Sequence, residues 1–251
     1  MSQLVDVAQY SKRVRSRAHD LSLRGPGKRL FEVVIAFFLL LALAPVMVLL
    51  TLAIKLDTRG PVFYRARRVG LGGREFAMLK FRKMHDNAAG PLLTCAADER
   101  FTRVGSFLAR TKLDELPQLW NVIRGDMSLV GPRPEDPSFV ALHPHHFGEI
   151  MRAKPGMTGL SQLAFAREGR LLDAPDRVDR YLESLLPQKI AIDRLYVAHR
   201  SMTMDLRILA WTAITLFSGI EVSVDRRSGR LSSRRRPDAG SASTAPAQSA
   251  R

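Results

Sequence analysis

The sequence predicts an α+β protein: a kinked, re-entrant membrane helix followed by a small, mostly helical cytoplasmic domain with a short β-hairpin and amphipathic interfacial helices. Three observations carry this expectation. The stretch from Leu30 to Ile54 is apolar, with one charged residue, Glu32, near its start. Beyond it, helical periodicities alternate with proline- and glycine-rich turns, and only two short runs read as strands. The 251 residues are 46% hydrophobic, enough for one domain with a core, and carry a net charge of +15.

The membrane segment comes first. About 20 apolar residues cross a bilayer core, so residues 30–54 are long enough. Pro45, near the middle, lacks an N–H, leaves the Leu41 carbonyl without its helical partner and kinks the helix through its ring. Lipid penalises such an unpaired group. Basic residues flank both ends: Arg24, Lys28 and Arg29 before, Lys55, Arg59 and Arg65 after. Such flanks favour the cytoplasmic side. A helix that enters, bends at Pro45 and leaves by the same face satisfies both flanks; a straight, kinked span is the alternative. The expected boundaries are a basic mobile arm over 1–26, the membrane-inserted helix over 27–56, a folded domain over 57–222 and a disordered basic tail over 223–251. No cleavable signal peptide is expected.

The domain is read in order. Asp57 to Pro61 is a turn cluster. Val62-Phe63-Tyr64 and Phe76 to Leu79 are strands joined through Gly70 to Gly73, and 85–100 is a polar loop. A short helix covers 102–110. A second begins with Asp114 as its N-cap, Glu115 and Pro117 in its first turn and Gly125 as its stop, with Leu116, Leu119, Trp120 and Ile123 on one apolar face. Pro132, Pro134 and Pro137 make a rigid loop. Residues 176–200 are helical. Residues 205–217 form an apolar helix capped by Asp205, lying either in the membrane interface with Trp211 at headgroup depth or in the core. The single cysteine, Cys95, excludes an intrachain disulfide and a multi-cysteine metal site. His143, His145 and His146 have no carboxylate at helical spacing and read as surface loop.

Chemistry concentrates in two adjacent carboxylates, Asp114 and Glu115, followed by an arginine, Arg133, between Pro132 and Pro134. An ionised carboxylate can attack phosphorus. A magnesium ion held by one, here Asp114, can bridge diphosphate oxygens, and arginine offers a two-pronged fork for phosphate. An Asp-Glu pair at a helix start also serves simply as a cap. Lys80, Arg82 and Lys83 at a strand end read either as contacts to diphosphate or lipid headgroup, or as a solvated basic edge.

Residues from about Lys28 to Phe217 resemble the bacterial sugar transferases of the monotopic polyprenyl-phosphate phosphoglycosyl transferase type. The matches fall in order: the apolar segment broken at Pro45, Gly60 to Tyr64, Lys80-Phe81-Arg82-Lys83-Met84, Arg103-Val104-Gly105, Leu113 to Leu119, Gly125 to Pro134 and Lys154 to Leu160. The resemblance implies that Asp114 is a nucleophile assisted by Glu115, and that Arg133 binds phosphate. It implies that the domain over 57–222 is catalytic, using magnesium to move a sugar phosphate from a UDP-sugar to polyprenyl phosphate. UMP is released and the phosphosugar rests on the enzyme between the two half-reactions. It also implies an inner-membrane location facing the cytoplasm. The partners are then UDP-sugar, polyprenyl phosphate and a bacterial membrane with anionic lipid, and not nucleic acid. Two positions depart from the family pattern: Ala44 precedes the membrane proline where a small polar residue is common, and Arg110 stands one step after the usual arginine position, here Ala109. Two rival readings are a glycosyltransferase releasing UDP, against which no Asp-x-Asp occurs, and a non-enzymatic basic module at the membrane.

Overall fold

The computed structural model describes residues 26–86, 88–91, 93–95, 98–166, 177–218, 220–225 and 229–234. The expected basic arm before residue 26 lies outside them. The first element, α1 (Pro26–Asp57), is one helix of 32 residues that runs unbroken through Pro45, so it is about 48 Å long. Glu32, Ala36, Leu50 and Ile54 are buried along it, and Leu40, Leu43 and Met47 pack against the cores between them. These positions recur every three or four residues and form one stripe down the helix. The rest of α1, including Phe37, Phe38, Leu41, Val48 and Leu49, is exposed and apolar.

Both ends of α1 are tied to the same domain. Near its start, Arg29 donates to the Val122 and Ile123 carbonyls at 2.6 and 2.8 Å, completing the carbonyl end of α3 (Gln118–Arg124). Lys28 pairs with Asp205 at 2.6 Å, and the Ser128 hydroxyl donates to Glu32. At the far end the Val104 N–H donates to Asp57 at 3.0 Å. Arg82 donates to the Thr58 and Arg59 carbonyls just beyond the helix at 3.0 and 2.6 Å.

The hairpin is longer than the sequence suggests. β1 (Phe63–Val69) pairs antiparallel with β2 (Glu75–Phe81), Phe63 opposite Phe81 and Val69 opposite Glu75. The turn between them places Gly72 and Gly73 at φ 65° and 76°, where a side chain is disfavoured. Asn121 of α3, 1% exposed, joins the hairpin: its side-chain carbonyl accepts from the Leu79 N–H and its amide donates to the Ala77 carbonyl, both at 2.9 Å. The face of α3 that is buried is therefore Gln118, Leu119, Asn121 and Val122, whereas Trp120, expected on the apolar face, is half exposed.

The main core joins Leu119, Val122, Met127, Leu129, Leu160, Ile192, Tyr196 and Ile208, and a second core gathers Phe139, Phe147, Ile150, Tyr181, Leu185 and Leu186. The short parallel pair β3 (Ser128–Val130) and β4 (Gly156–Thr158) lies between α1 and the C-terminal helices. A Cβ on Gly156 would meet the Gly131 nitrogen at 2.0 Å, so this pair closes only around glycine.

Two expectations for the C-terminal part are corrected. The last helix begins at Met202 and ends at Ser218; its cap is Ser201, whose hydroxyl accepts from the Met204 N–H, while Asp205 is buried one turn inside, bonded to Lys28 and, at 2.7 Å, to Tyr196. Charge partners across the fold have claimed the carboxylate that local sequence assigns to capping. Trp211 packs partly buried against the main core. The tail expected to be disordered from 223 instead begins as an antiparallel hairpin, Glu221–Val224 with Leu231–Arg234. Val222, Val224 and Leu231 supply an apolar face to the main core. Residues 235–251 lie outside the described residues.

Candidate active site

α2 (Arg103–Thr111) ends at Lys112, which takes the left-handed conformation, φ 61°, alone among the non-glycine residues described. That reversal starts a single 3₁₀ turn, Leu113–Glu115, closed by i to i+3 bonds from Glu115 to Lys112 and from Leu116 to Leu113. The expectation of Asp114 as an α-helix N-cap is thus corrected: Asp114 lies inside the 3₁₀ turn, and α3 starts only at Gln118, after Pro117. Proline cannot donate to a carbonyl four residues back, which keeps the two segments separate.

The turn presents the two carboxylates to different cations. Glu115 meets Lys80 at 2.8 Å and Arg133 at 3.2 Å. Asp114, 2% exposed, has Lys83 at 3.5 Å. Burial raises the Glu115 carboxyl, but Lys80, Arg133 and Lys112 together overturn that and hold it far below the usual carboxylate range. Burial lowers the Lys83 ammonium, with Asp114 opposing, and Lys80 and Lys112 lower it further. Three cations therefore converge on two carboxylates, a surplus that suits a phosphate-rich ligand. The side-chain amide nitrogen of Gln118, at the first position of α3, is buried without a hydrogen-bond partner.

The Gly-Pro-Arg-Pro loop is pinned from behind. Pro132 and Pro134 are buried, the Pro132 carbonyl accepts from the Gly156 N–H at 2.9 Å and the Gly131 N–H donates to Thr158 at 2.9 Å. Asp193, 5% exposed, bonds to Ser161 and to the Arg133 backbone N–H. Lys189, Glu135 and Tyr181 complete a buried polar cluster under the loop, Tyr181 donating to Glu135 at 2.7 Å.

Asp114, Glu115, Lys80 and Arg133 are thus brought together. Arg82 is not with them: its guanidinium is buried at the end of α1. Arg110 is exposed and bonds the Ser106 carbonyl of its own helix at 3.3 Å. The sequence reading named Lys83 only as one of three strand-end cations, and it missed Asn121 and Asp193. As for magnesium, no group of three or more His, Cys, Asp or Glu able to hold a metal occurs among the described residues. Magnesium often binds through one or two carboxylates plus substrate phosphates. Glu115 is occupied by Lys80 and Arg133, so the donor that fits this mode is Asp114.

A paired-carboxylate turn ringed by cations thus lies beside an apolar helix exposed along most of its length, a combination of charges suited to a phosphate-bearing ligand. Residues 23–219 match the model of the bacterial sugar transferases, and the chain belongs to that family of transferases. Over 197 residues it is 42% identical to a UDP-glucose:undecaprenyl-phosphate glucose-1-phosphate transferase of Caulobacter vibrioides, covering 76% of this chain and 70% of that protein. It is 39% identical over 194 residues to an undecaprenyl-phosphate glucose phosphotransferase of Komagataeibacter xylinus, covering 74% of this chain but 35% of that protein. It is 37% identical over 199 residues to an exopolysaccharide production protein of Rhizobium leguminosarum, covering 75% of this chain and 94% of that protein. The chain therefore spans most of some relatives and well under half of others.

Proposed function

We propose that this protein transfers a sugar 1-phosphate from a UDP-sugar to undecaprenyl phosphate through an aspartyl phosphosugar on Asp114, releasing UMP and forming a polyprenyl diphosphate sugar for exopolysaccharide synthesis. The observation that carries the reading is the convergence of Lys80, Lys83 and Arg133 on Asp114 and Glu115 within the matched family region. Asp114 Oδ attacks the β-phosphorus. The bond from that phosphorus to the bridging oxygen breaks, and UMP leaves with the electron pair. Glu115 anchors Lys80 and Arg133, so that their charges stand ready beside the diphosphate. The phosphate oxygen of the lipid then attacks the same phosphorus and frees Asp114. Magnesium, held by Asp114 and the substrate phosphates, would neutralise charge on the diphosphate.

The catalytic turn lies beside the end of α1, since Leu113 and Leu116 pack in one cluster with Ile54 and Leu50. A lipid phosphate anchored at the bilayer surface is within the natural reach of such a site. Because the domain holds both ends of α1, the membrane is then engaged from one side; the basic flanks of α1 favour the cytoplasmic face of the inner membrane. The relatives' names make UDP-glucose the first donor to test.

The test is incubation of the purified protein in detergent with radiolabelled UDP-glucose and magnesium, without acceptor. Label stays on the wild-type chain with stoichiometric UMP release, is chased onto undecaprenyl phosphate when that is added, and is absent from Asp114→Asn. Release of UDP, or full turnover by folded, membrane-bound Asp114→Asn, would overturn the mechanism.

A further inference from the structure

Lys80 and Lys83 leave the same strand end and divide the two carboxylates between them, but they hold them differently. Lys80 is locked on Glu115 at 2.8 Å. Lys83 stands 3.5 Å from Asp114, beyond the usual 2.7–2.9 Å of a charge-assisted hydrogen bond. Its backbone is fixed: its carbonyl accepts from the Thr102 N–H at 3.1 Å, and α2 lies so close that a Cβ on Gly105 would meet that carbonyl at 1.8 Å. Its side chain is the part left adjustable. The side chain is 23% exposed, against 2% for that of Asp114, and its ammonium also lies 5.4 Å over the Phe101 ring. A phosphorus bonded to Asp114 would lie within a few ångströms of this ammonium, which stands 3.5 Å from the carboxylate.

Charge accounting then gives Lys83 a task. In the resting protein its counter-charge is the Asp114 carboxylate. Once Asp114 is bonded to phosphorus, that carboxylate is a neutral acyl group, its charge has left with UMP, and the anion remaining beside Lys83 is the non-bridging oxygen of the bound phosphoryl group. A largely buried ammonium cannot stay without a partner. We propose that Lys83 is a further catalytic residue, covering Asp114 at rest and passing to a non-bridging oxygen of the transferred phosphoryl group as Asp114 attacks. This rests on Asp114 being the nucleophile. In the step, the Asp114 oxygen to phosphorus bond forms, the phosphorus to bridging-oxygen bond breaks with its electron pair leaving on UMP, and Lys83 exchanges one oxygen partner for another without losing a proton. The sequence reading treated Lys83 with Lys80 and Arg82 as one basic edge; the structure separates the three, sending Arg82 to the end of α1 and only the two lysines to the carboxylates.

The experiment compares single-turnover capture of label from UDP-glucose, without acceptor, in wild type, Lys83→Met, Lys83→Arg, Lys83→Ala and Asp114→Asn. Lys83→Met is expected to slow capture by about 100-fold with the donor concentration for half-maximal rate within about threefold of wild type, as for a group acting on the transition state. Lys83→Arg keeps capture within about tenfold, and added ethylamine restores at least about tenfold to Lys83→Ala but nothing to Asp114→Asn. A positional role alone would not respond to a free amine. If Lys83→Met captures label at the wild-type rate, or loses only donor affinity, while Asp114→Asn captures none, this proposal falls and the nucleophile stands. If Asp114→Asn itself captures label at the wild-type rate, the underlying mechanism falls. If Lys83→Met does not fold, the ethylamine response of Lys83→Ala decides, and no response counts against the proposal.

Discussion

Asp193, at the Arg133 backbone, and Glu115, at its guanidinium, respond oppositely to pH. Burial pushes the Asp193 carboxyl from 3.8 up to about 7, against Ser161, Lys189 and the Arg133 N–H, which lower it. A raised acid binds more protons folded than unfolded, so its contribution is complete below about pH 3.8 and is lost as pH rises through about 7. Asp193→Asn removes that dependence. Between pH 4 and pH 8, wild type is expected to lose up to ~4 kcal/mol relative to the variant, read from urea unfolding in detergent; parallel pH courses would refute this. Glu115 is the reverse case. Its lowered carboxyl stabilises the fold fully above the usual glutamate value and loses that progressively as pH falls from there to its depressed folded value. Glu115→Gln is expected to cost about 3–5 kcal/mol at pH 7, leaving Lys80 and Arg133 facing one another, and less in strong acid. An equal deficit at pH 3 and pH 7 would contradict the assignment. The motif made Asp114, Glu115 and Arg133 legible from sequence. The pairing of Lys83 with Asp114 and the place of Asp193 were not, for different reasons. Strand alternation would put Lys80 and Arg82 on one face, but β2 stops at Phe81 and the parity fails. Asp193 lies sixty residues from Arg133 and meets it only through packing.

At the scale of elements, the hairpin and α2 follow from local pattern, and the turn that holds the carboxylates does not. Asp, Glu and Pro in sequence satisfy every rule for a helix start. What overrides them is the left-handed Lys112 and the i to i+3 bonding that follows, set by how α2 must end against the hairpin. The contact of α2 with the Lys83 carbonyl is the tightest part of that arrangement. Gly105→Ala needs the two backbones to separate, because its Cβ would fall 1.8 Å from that carbonyl. The expected cost is about 1–3 kcal/mol of stability, together with slower label capture, since Lys83 and Asp114 move apart. A neutral effect on both thermal unfolding and capture would show that α2 is free to shift. The C-terminal hairpin was missed because its short valine and serine alternation sits within an arginine-rich stretch whose composition reads as a tail.

For the whole molecule, the decisive relation is between α1 and the domain. At about 48 Å the helix is long enough to cross a bilayer, and its composition permits that. A helix crossing perpendicular to the membrane would leave its two ends on opposite faces. Here one stripe, from Glu32 to Ile54, packs on a single domain, with Arg29 bonded to α3 at one end and Asp57 to α2 at the other. To span, the helix would have to leave that stripe, breaking the Lys28–Asp205 pair and exposing Glu32 to lipid. It would also give up the core contacts along that stripe. On the one-sided reading proposed above, the exposed apolar face with Phe37, Phe38, Leu41 and Leu49 is the part that enters one leaflet. Both ends should then be reached from the same side. In a Cys95→Ser chain reconstituted into vesicles, Gly27→Cys and Leu56→Cys are expected to react together with an impermeant maleimide, or to be protected together, according to vesicle orientation. Labelling of one with protection of the other in the same vesicles would establish a spanning helix and separate α1 from the domain that here holds its full length.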